Sequence, residues 1–273
     1  MNEKIQNKQE IIENYLKVLH INTNIKTIDD ITNLMKAHVS NFAFSSIKVL
    51  LKDEISLELN DIYEKVVEQK RGAYCFEHNK LFFEVLKTLN FDVEFYLARV
   101  VNNSEKEVPQ THRFTLLKFE GERYLIDVGI GFYTPCIPIK FGKEVTYSHL
   151  GISYKIQESK DNVFVLQRIK NDKIFNVTKF DLNPCFEADF EMGHFYSHKH
   201  PTAVFVNNLV ISLITQNEIR SLKNGDYFKI YENSQEQINI KSLKHFQDIL
   251  KEDFNLHFTN QETEYIYKNY TNI

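Results

Sequence analysis

The spacing of apolar residues changes its period at Phe91, and this limits what the chain can fold into. Before Phe91 the apolar residues recur every three to four positions. Ile11, Ile12, Tyr15, Leu16 and Leu19 form one stripe. Ile31, Leu34, Met35 and His38 form a second, which Thr27 can cap with Asp29 and Asp30 in the first turn. Asn41-Phe42-Ala43-Phe44 interrupts the pattern. Ile62, Val66 and Val67 mark a third helix between Leu59 and Gln69. Phe82, Leu86 and Leu89, flanked by Phe76 and Phe83, mark a fourth that starts near Cys75. From Phe91 onward the texture is that of strands. Val93–Val100 is β-rich, and a polar loop follows from Asn102 to Pro109. The segments 113–119 and 123–128 flank Glu120-Gly121, a two-residue hairpin signal. Strands near 146–157, 163–169 and 174–180 extend an antiparallel block, a small barrel or sandwich. After Pro184 the texture mixes again. Residues 203–215 are strand-like, Asn224-Gly225 centres a hairpin, and Ser242 can cap a helix through Phe246, Ile249 and Leu250. The fold class expected is α+β.

Composition excludes several functions. The formal net charge is −4 and the pI about 6.2, so nothing favours nucleic acid. No run of eighteen apolar residues occurs, and Met1-Asn2-Glu3-Lys4-Ile5-Gln6 has no apolar leader core. The chain therefore reads as soluble, unexported and cytoplasmic, with no membrane partner. The three cysteines, Cys75, Cys136 and Cys185, are widely spaced and odd in number, which argues against a disulfide framework.

Cys75 carries the clearest chemical signal. It stands between the small-residue turn Gly72-Ala73 and the start of an apolar-periodic helix. A cysteine there feels the positive end of the helix dipole, which favours the thiolate that attacks acyl groups. His112 heads one strand of the expected hairpin and Asp127 ends the next. A two-residue turn at Glu120-Gly121 puts both side chains on one face, in diagonal positions with Cβ atoms roughly 7–8 Å apart or a little less. A turn of odd length would put them on opposite faces. An isolated buried carboxylate within Leu125-Ile126-Asp127-Val128 costs several kcal/mol, so Asp127 needs a partner, and His112 is the nearest candidate. Taken singly, each residue has an ordinary structural explanation: a small core thiol, a satisfied histidine, a turn aspartate. Together, in the order Cys, His, Asp, they are the parts of a nucleophile–base–carboxylate triad.

These segments resemble the arylamine N-acetyltransferase family. Arg71-Gly72-Ala73-Tyr74-Cys75-Phe76-Glu77-His78-Asn79 is similar to its R-G-G-x-C-[FY]-E-x-N motif. Thr111-His112 with Leu116-Leu117, then Tyr124-Leu125-Ile126-Asp127-Val128-Gly129, look like its His and Asp segments. Asn183–Phe190 and His200-Pro201 followed by Phe205 look like its later landmarks. The resemblance implies three parts: a helical bundle over 1–90, an antiparallel β-barrel over 91–190 and a mixed α/β lid over 191–273. It implies acetyl-CoA as co-substrate, with no permanently bound cofactor. The implied acceptor is an arylamine, hydrazine or arylhydroxylamine. It also implies Cys75, His112 and Asp127 as the triad, and Phe44, Ile130 and Phe132 as substrate-binding. Cys75 would take the acetyl group and pass it to the amine, with its own backbone N–H helping to hold the oxyanion.

The chain departs from the family pattern in places. Ala73 replaces a glycine, which restricts the turn before the nucleophile. Ser45 and Ser46 replace Glu and Asn. Ile130 replaces a phenylalanine, and Phe132 can restore its bulk. Two rival functions stay open on the residues alone. One is a transglutaminase-type Cys-His-Asp enzyme, and the other is a paralogue that binds aromatics without turnover. His194, His198 and His200 follow no established zinc spacing, so no metal is expected and the segment reads as a solvated loop or a CoA-facing surface. Gly129-Ile130-Gly131 lacks a third glycine and a following helix, which excludes a dinucleotide fingerprint. Cys136 and Cys185 sit at no evident helix start and read as structural.

Overall fold

The computed structural model describes residues 7–159 and 162–271; residues 1–6, read from sequence as lacking an apolar leader core, lie outside them. Helices α1 (Lys8–Val18) and α2 (Ile28–Asn41) are followed by a two-residue strand β1 (Phe44–Ser45) and short helices α3 (Ile47–Leu50) and α4 (Leu59–Tyr63). A π turn over Glu64–Glu68 continues α4, and α5 spans Cys75–Thr88. Eight strands follow: β2 (Asp92–Val100), β3 (His112–Phe119), β4 (Glu122–Ile126), β5 (Ile139–Lys140), β6 (Gly142–His149), β7 (Ile152–Glu158), β8 (Phe164–Lys170) and β9 (Lys173–Phe180). The rest comprises α6 (Glu187–Lys199), α7 (Val204–Asn207), β10 (Val210–Ile214), β11 (Ile219–Lys223), β12 (Asp226–Ile230), β13 (Gln235–Ile238), α8 (Leu243–Asp248) and α9 (Asn260–Tyr270).

Strands β2–β9 make one antiparallel sheet in the order β5-β4-β3-β2-β9-β8-β7-β6. A bridge from Phe141 to Ile156 draws its far strands back toward β5, so the sheet curls into a nearly closed barrel. The fold class is α+β, as the change of period implied. The β3–β4 hairpin has the expected register: Thr115 faces Ile126 and Phe119 faces Glu122, with Glu120 and Gly121 both at positive φ as the primed two-residue turn requires.

The second sheet, β1-β10-β11-β12-β13, takes its edge strand from the N-terminal region and its other four from the C-terminal region. Phe44 pairs with Ser212 and Ser45 with Ile211. Ser46 fixes this junction: its hydroxyl donates to Asn208 O at 2.9 Å and accepts from Val210 N at 2.9 Å. One apolar core runs from α1, α2 and α5 into the barrel, through Tyr15, Leu34, Phe82, Leu86, Phe114 and Leu125. A second lies between the small sheet and α8–α9, around Ile211, Tyr227, Phe246 and Phe254.

Three sequence expectations need correction. The run 146–157 is two strands, because Leu150 and Gly151 turn the chain at φ +49° and +68°. The run 203–215 holds a helical turn, α7, before β10. The histidine-rich segment, expected to be a solvated loop or a CoA-facing surface, is not a loop: His194 and His198 lie in helix α6 and His200 follows its last residue, with Phe190, Gly193, His194 and Ser197 buried.

Candidate active site

Helix α5 begins at Cys75, so the thiol sits where backbone N–H groups point outward without intrahelical partners. The turn that delivers it depends on Gly72. That residue is at φ +68°, and an added Cβ would meet Ser45 Cβ at 2.8 Å and Ala43 O at 3.0 Å. Ala73 is not left-handed. It bridges Phe44, accepts from Ser45 N at 2.7 Å and donates to Ala43 O at 3.2 Å, so its methyl group is accommodated in extended backbone. At the start of the helix, Glu77 Oε2 accepts from Tyr74 N at 3.3 Å, and Lys65 Nζ donates to Glu77 Oε1 at 2.5 Å.

His112 opens β3, opposite Ala98 of β2, and Asp127 follows the last residue of β4. The His112 Nε2–H donates to Asp127 Oδ2 at 2.6 Å, with both side chains buried. The far nitrogen of the ring makes this bond, so the length of the imidazole spans the diagonal between the two strands without a bulge. Nδ1 is thereby left for the thiol. Burial alone would depress the His112 pKa. The Asp127 charge and hydrogen bond, with the hydrogen bond and charge of Cys75, outweigh it and push the pKa up to about 10. Cys75 Sγ also lies 3.6 Å from Thr111 O.

The carboxylate of Asp127 accepts three hydrogen bonds, two of them besides that from His112. Asn79 Nδ2 donates to Oδ1 at 2.9 Å, and Gly129 N donates to the same oxygen at 2.9 Å. Asn79 also donates to Arg113 O at 2.7 Å and accepts from Val128 N at 3.0 Å. It stands one helical turn after Cys75, on the same face of α5. The sequence contained this residue within the cysteine motif but assigned it no role. Its partners lie 34 to 49 positions away, so no local pattern reveals them.

Two buried histidine systems flank the nucleophile. The Tyr15 hydroxyl donates to His38 Nδ1 at 2.8 Å, His38 Nε2–H to His78 Nδ1 at 2.9 Å, and His78 Nε2–H to Ala43 O at 3.3 Å. This one-way chain of donors requires both histidines to be neutral. Burial agrees with that, lowering His78 to about 4 and His38 well below its ordinary value. In the second system His194 Nε2–H donates to Ile55 O at 2.8 Å and Nδ1 accepts from Tyr74 OH. Both nitrogens of His194 are thus engaged within the protein, as a metal ligand's would not be.

Arg113, beside His112, points to the other face of β3 and is fully buried. Its guanidinium lies over Phe190 at 4.4 Å and Phe95 at 5.0 Å, and 3.8 Å from Glu187 Oε2. Burial lowers its pKa to about 10. Cys136 is buried, its thiol pushed up to about 12 by desolvation, while Cys185 is half-buried.

The nucleophile opens on a cavity of about 470 Å³. Cys75, His112 and Gly129 line it together with Phe44, Ile130, Phe132 and Phe205. Ser212, Ser221 and Lys223 of the small sheet line it as well. Cys75 and His112 thus meet at a cavity whose wall contains all three of the aromatic and aliphatic residues singled out from sequence, with Asp127 bonded to His112 Nε2.

Comparison with known proteins identifies the family and the fold. The chain matches the N-acetyltransferase family over residues 27–263. It is 31% identical over 232 residues to the arylamine N-acetyltransferase of Escherichia coli K12, covering 84% of this chain and 82% of that protein. The solved arylamine N-acetyltransferase of Salmonella typhimurium is 26% identical and superposes with a TM-score of 0.88, over 94% of this chain and 98% of that one. The Mycobacterium marinum enzyme, solved in complex with CoA, shares the fold at 24% identity, with a TM-score of 0.88 over 94% of this chain and 99% of that one.

Proposed function

The chain belongs to the arylamine N-acetyltransferase family, and from that premise we propose that Cys75, His112 and Asp127 carry its acetyl transfer. The protein is an acyltransferase that moves an acetyl group from acetyl-CoA to an arylamine. Acetyl-CoA serves as co-substrate rather than resident cofactor.

In the proposed ping-pong scheme His112 holds the proton of the Cys75 thiol, and the sulfur attacks the acetyl carbonyl carbon of acetyl-CoA. The negative charge that develops on the carbonyl oxygen faces the free N–H groups at the start of α5, including that of Cys75. The bond from carbon to the CoA sulfur breaks, and His112 returns the proton to the departing thiolate. The amine then attacks acetyl-Cys75 and loses a proton to the imidazole. The C–N bond forms and the Cys75 sulfur leaves, completing the amide. The first half exchanges one thioester for another and is nearly isoenergetic, so the carrier is reversible. Asp127 holds Nε2–H and stabilises the imidazolium. The observation that carries this reading is the 2.6 Å His112–Asp127 bond at the floor of a cavity that Cys75 also lines.

Phe44, Ile130 and Phe132 supply the apolar wall on which an aromatic acceptor would lie. Hydrazines and arylhydroxylamines present the same nucleophilic nitrogen or oxygen and belong to the proposed acceptor range. The cytoplasm is the proposed compartment, supported by three unpaired cysteines, two of them buried. Among the described residues no helix is long and apolar enough to cross a membrane.

Intact mass after brief exposure to acetyl-CoA tests the reading. The expected result is a gain of about 42 Da that Cys75→Ala abolishes and an added arylamine discharges. No gain, with the thiol still readily alkylated, would overturn acetyl-CoA as donor.

A further inference from the structure

The cavity has one wall that the acetyl transfer leaves unused. On β10 and β11, Ser212 and Ser221 are direct cross-strand partners, and Val210 pairs with Lys223. Residues two apart on a strand share a face, so Ser212, Ser221 and Lys223 form one polar group on the side of the sheet that lines the cavity. Ser212 is buried beside Phe44 and lies against the Gly131 backbone, where an added Cβ would stand 3.6 Å from its hydroxyl. Among the described residues neither serine hydroxyl has a hydrogen-bond partner in the protein. Among the described residues no carboxylate lies within salt-bridge distance of Lys223. Its cross-strand neighbour Asp226 instead accepts from Gln237 Nε2 at 3.4 Å. Among the described residues, Lys223 is the cavity's only basic side chain apart from His112, and no acidic side chain lines it.

We infer that Lys223, with Ser212 and Ser221, is a selector for an anionic group at the far end of a ligand whose reacting atom lies at Cys75. The inference rests on the acetyl-transfer reading, which fixes the reacting end. Phe44, Ile130 and Phe132 suit the flat body of such a ligand, while two free hydroxyls and an ammonium suit a terminal carboxylate, sulfonate or phosphate. The same chemistry has two sources. One is an arylamine with an anionic ring substituent, and the other is a phosphate of CoA.

The test compares the parent with Lys223→Met and Lys223→Arg. The acceptors are 4-aminobenzoate and its neutral methyl ester, which differ at the far end by the charge and one methyl group. Lys223 is exposed, so a moderate effect is expected. In Lys223→Met the ratio of kcat/KM for 4-aminobenzoate to that for the ester should fall roughly five- to tenfold, and Lys223→Arg should restore most of it. If the ratio holds but CoA itself binds more weakly to Lys223→Met, and acetylation of Cys75 slows equally, the selector stands and its anion is the phosphate. If neither the ratio nor CoA binding moves, the selector is overturned. Calorimetric binding of 4-aminobenzoate and the ester in the absence of donor keeps this separate from the catalytic reading. A parent that never acetylates Cys75 fails that reading alone, while parent and Lys223→Met that bind both acceptors and CoA equally fail the selector alone.

Discussion

Asn79 holds Asp127 from the helix that carries Cys75: its Nδ2 lies 2.9 Å from Asp127 Oδ1, while Oδ2 of the same carboxylate bonds His112. Nucleophile and base are thus positioned by one element. Asn79→Ala should leave the carboxylate short of one donor and free to rotate, lowering kcat about 10- to 100-fold with a smaller change in KM. The buried groups Arg113 O and Val128 N would also lose their partner, at a cost of about 1–3 kcal/mol each. Steady-state kinetics with thermal unfolding checks both effects. A kcat near that of the parent would remove Asn79 from the positioning role.

Asp127→Asn retains shape and loses charge. The new amide can donate to Nε2, which would favour the ring tautomer with its proton on Nδ1, facing the sulfur. Acetylation of Cys75 by acetyl-CoA should slow by about 10²–10⁴-fold. The group that raises the His112 pKa is lost as well, so the ring should titrate far below about 10. Stopped-flow acylation and NMR titration of His112 read these separately. Unchanged acylation would mean that the triad is misassigned.

The fold was legible where its signals are local. The helical stripes, the Glu120-Gly121 and Asn224-Gly225 hairpins and the shared face of His112 and Asp127 follow from period and turn chemistry alone. Helix α6 was not, because it inverts the usual pattern: Met192 and Phe195 are exposed, while Gly193, His194 and Ser197 face inward. The turn at Leu150 was hidden because leucine seldom takes positive φ. Helix α9 did leave a mark that went unread, the capping box in which Thr259 and Glu262 bond each other's backbone N–H. Arg113 looked like an ordinary strand residue, and only the assembled fold closes Phe83, Phe95 and Phe190 around it. The role of Asn79 rests on contacts between distant segments, which no window of sequence contains.

The Ala73 departure should matter less than the motif suggests. The left-handed residue of that turn is Gly72, and Ala73 is in extended backbone. Ala73→Gly is expected to keep activity within about twofold and to lower stability by about 0.5–1 kcal/mol, through unfolded-state entropy. Gly72→Ala should do far more harm, since it combines strain at φ +68° with a 2.8 Å clash against Ser45 Cβ. A rise in kcat for Ala73→Gly would show that the methyl group does constrain the nucleophile.

The buried histidines predict acid lability. His78 and His194 have pKa values lowered to about 4, and His38 lies well below its ordinary value, in each case chiefly through desolvation. For each the folded state releases a proton that the unfolded state keeps. Stability is therefore full above about 6.5 and is lost as pH falls from there toward 4. His112 has the opposite sign. Its raised pKa gives stability that is complete below about 6.5 and is lost as pH climbs through about 10. On the acid side, protonating His38 or His78 also places a donor where the Tyr15–His38–His78 chain needs an acceptor. The melting temperature should fall by roughly 5–10 °C between pH 7 and pH 5, before most carboxylates titrate. Scanning calorimetry at matched ionic strength would show this. A flat melting temperature over that range would mean that these histidines titrate alike in the folded and unfolded chain, and that the neutral donor chain beside the nucleophile is wrongly drawn.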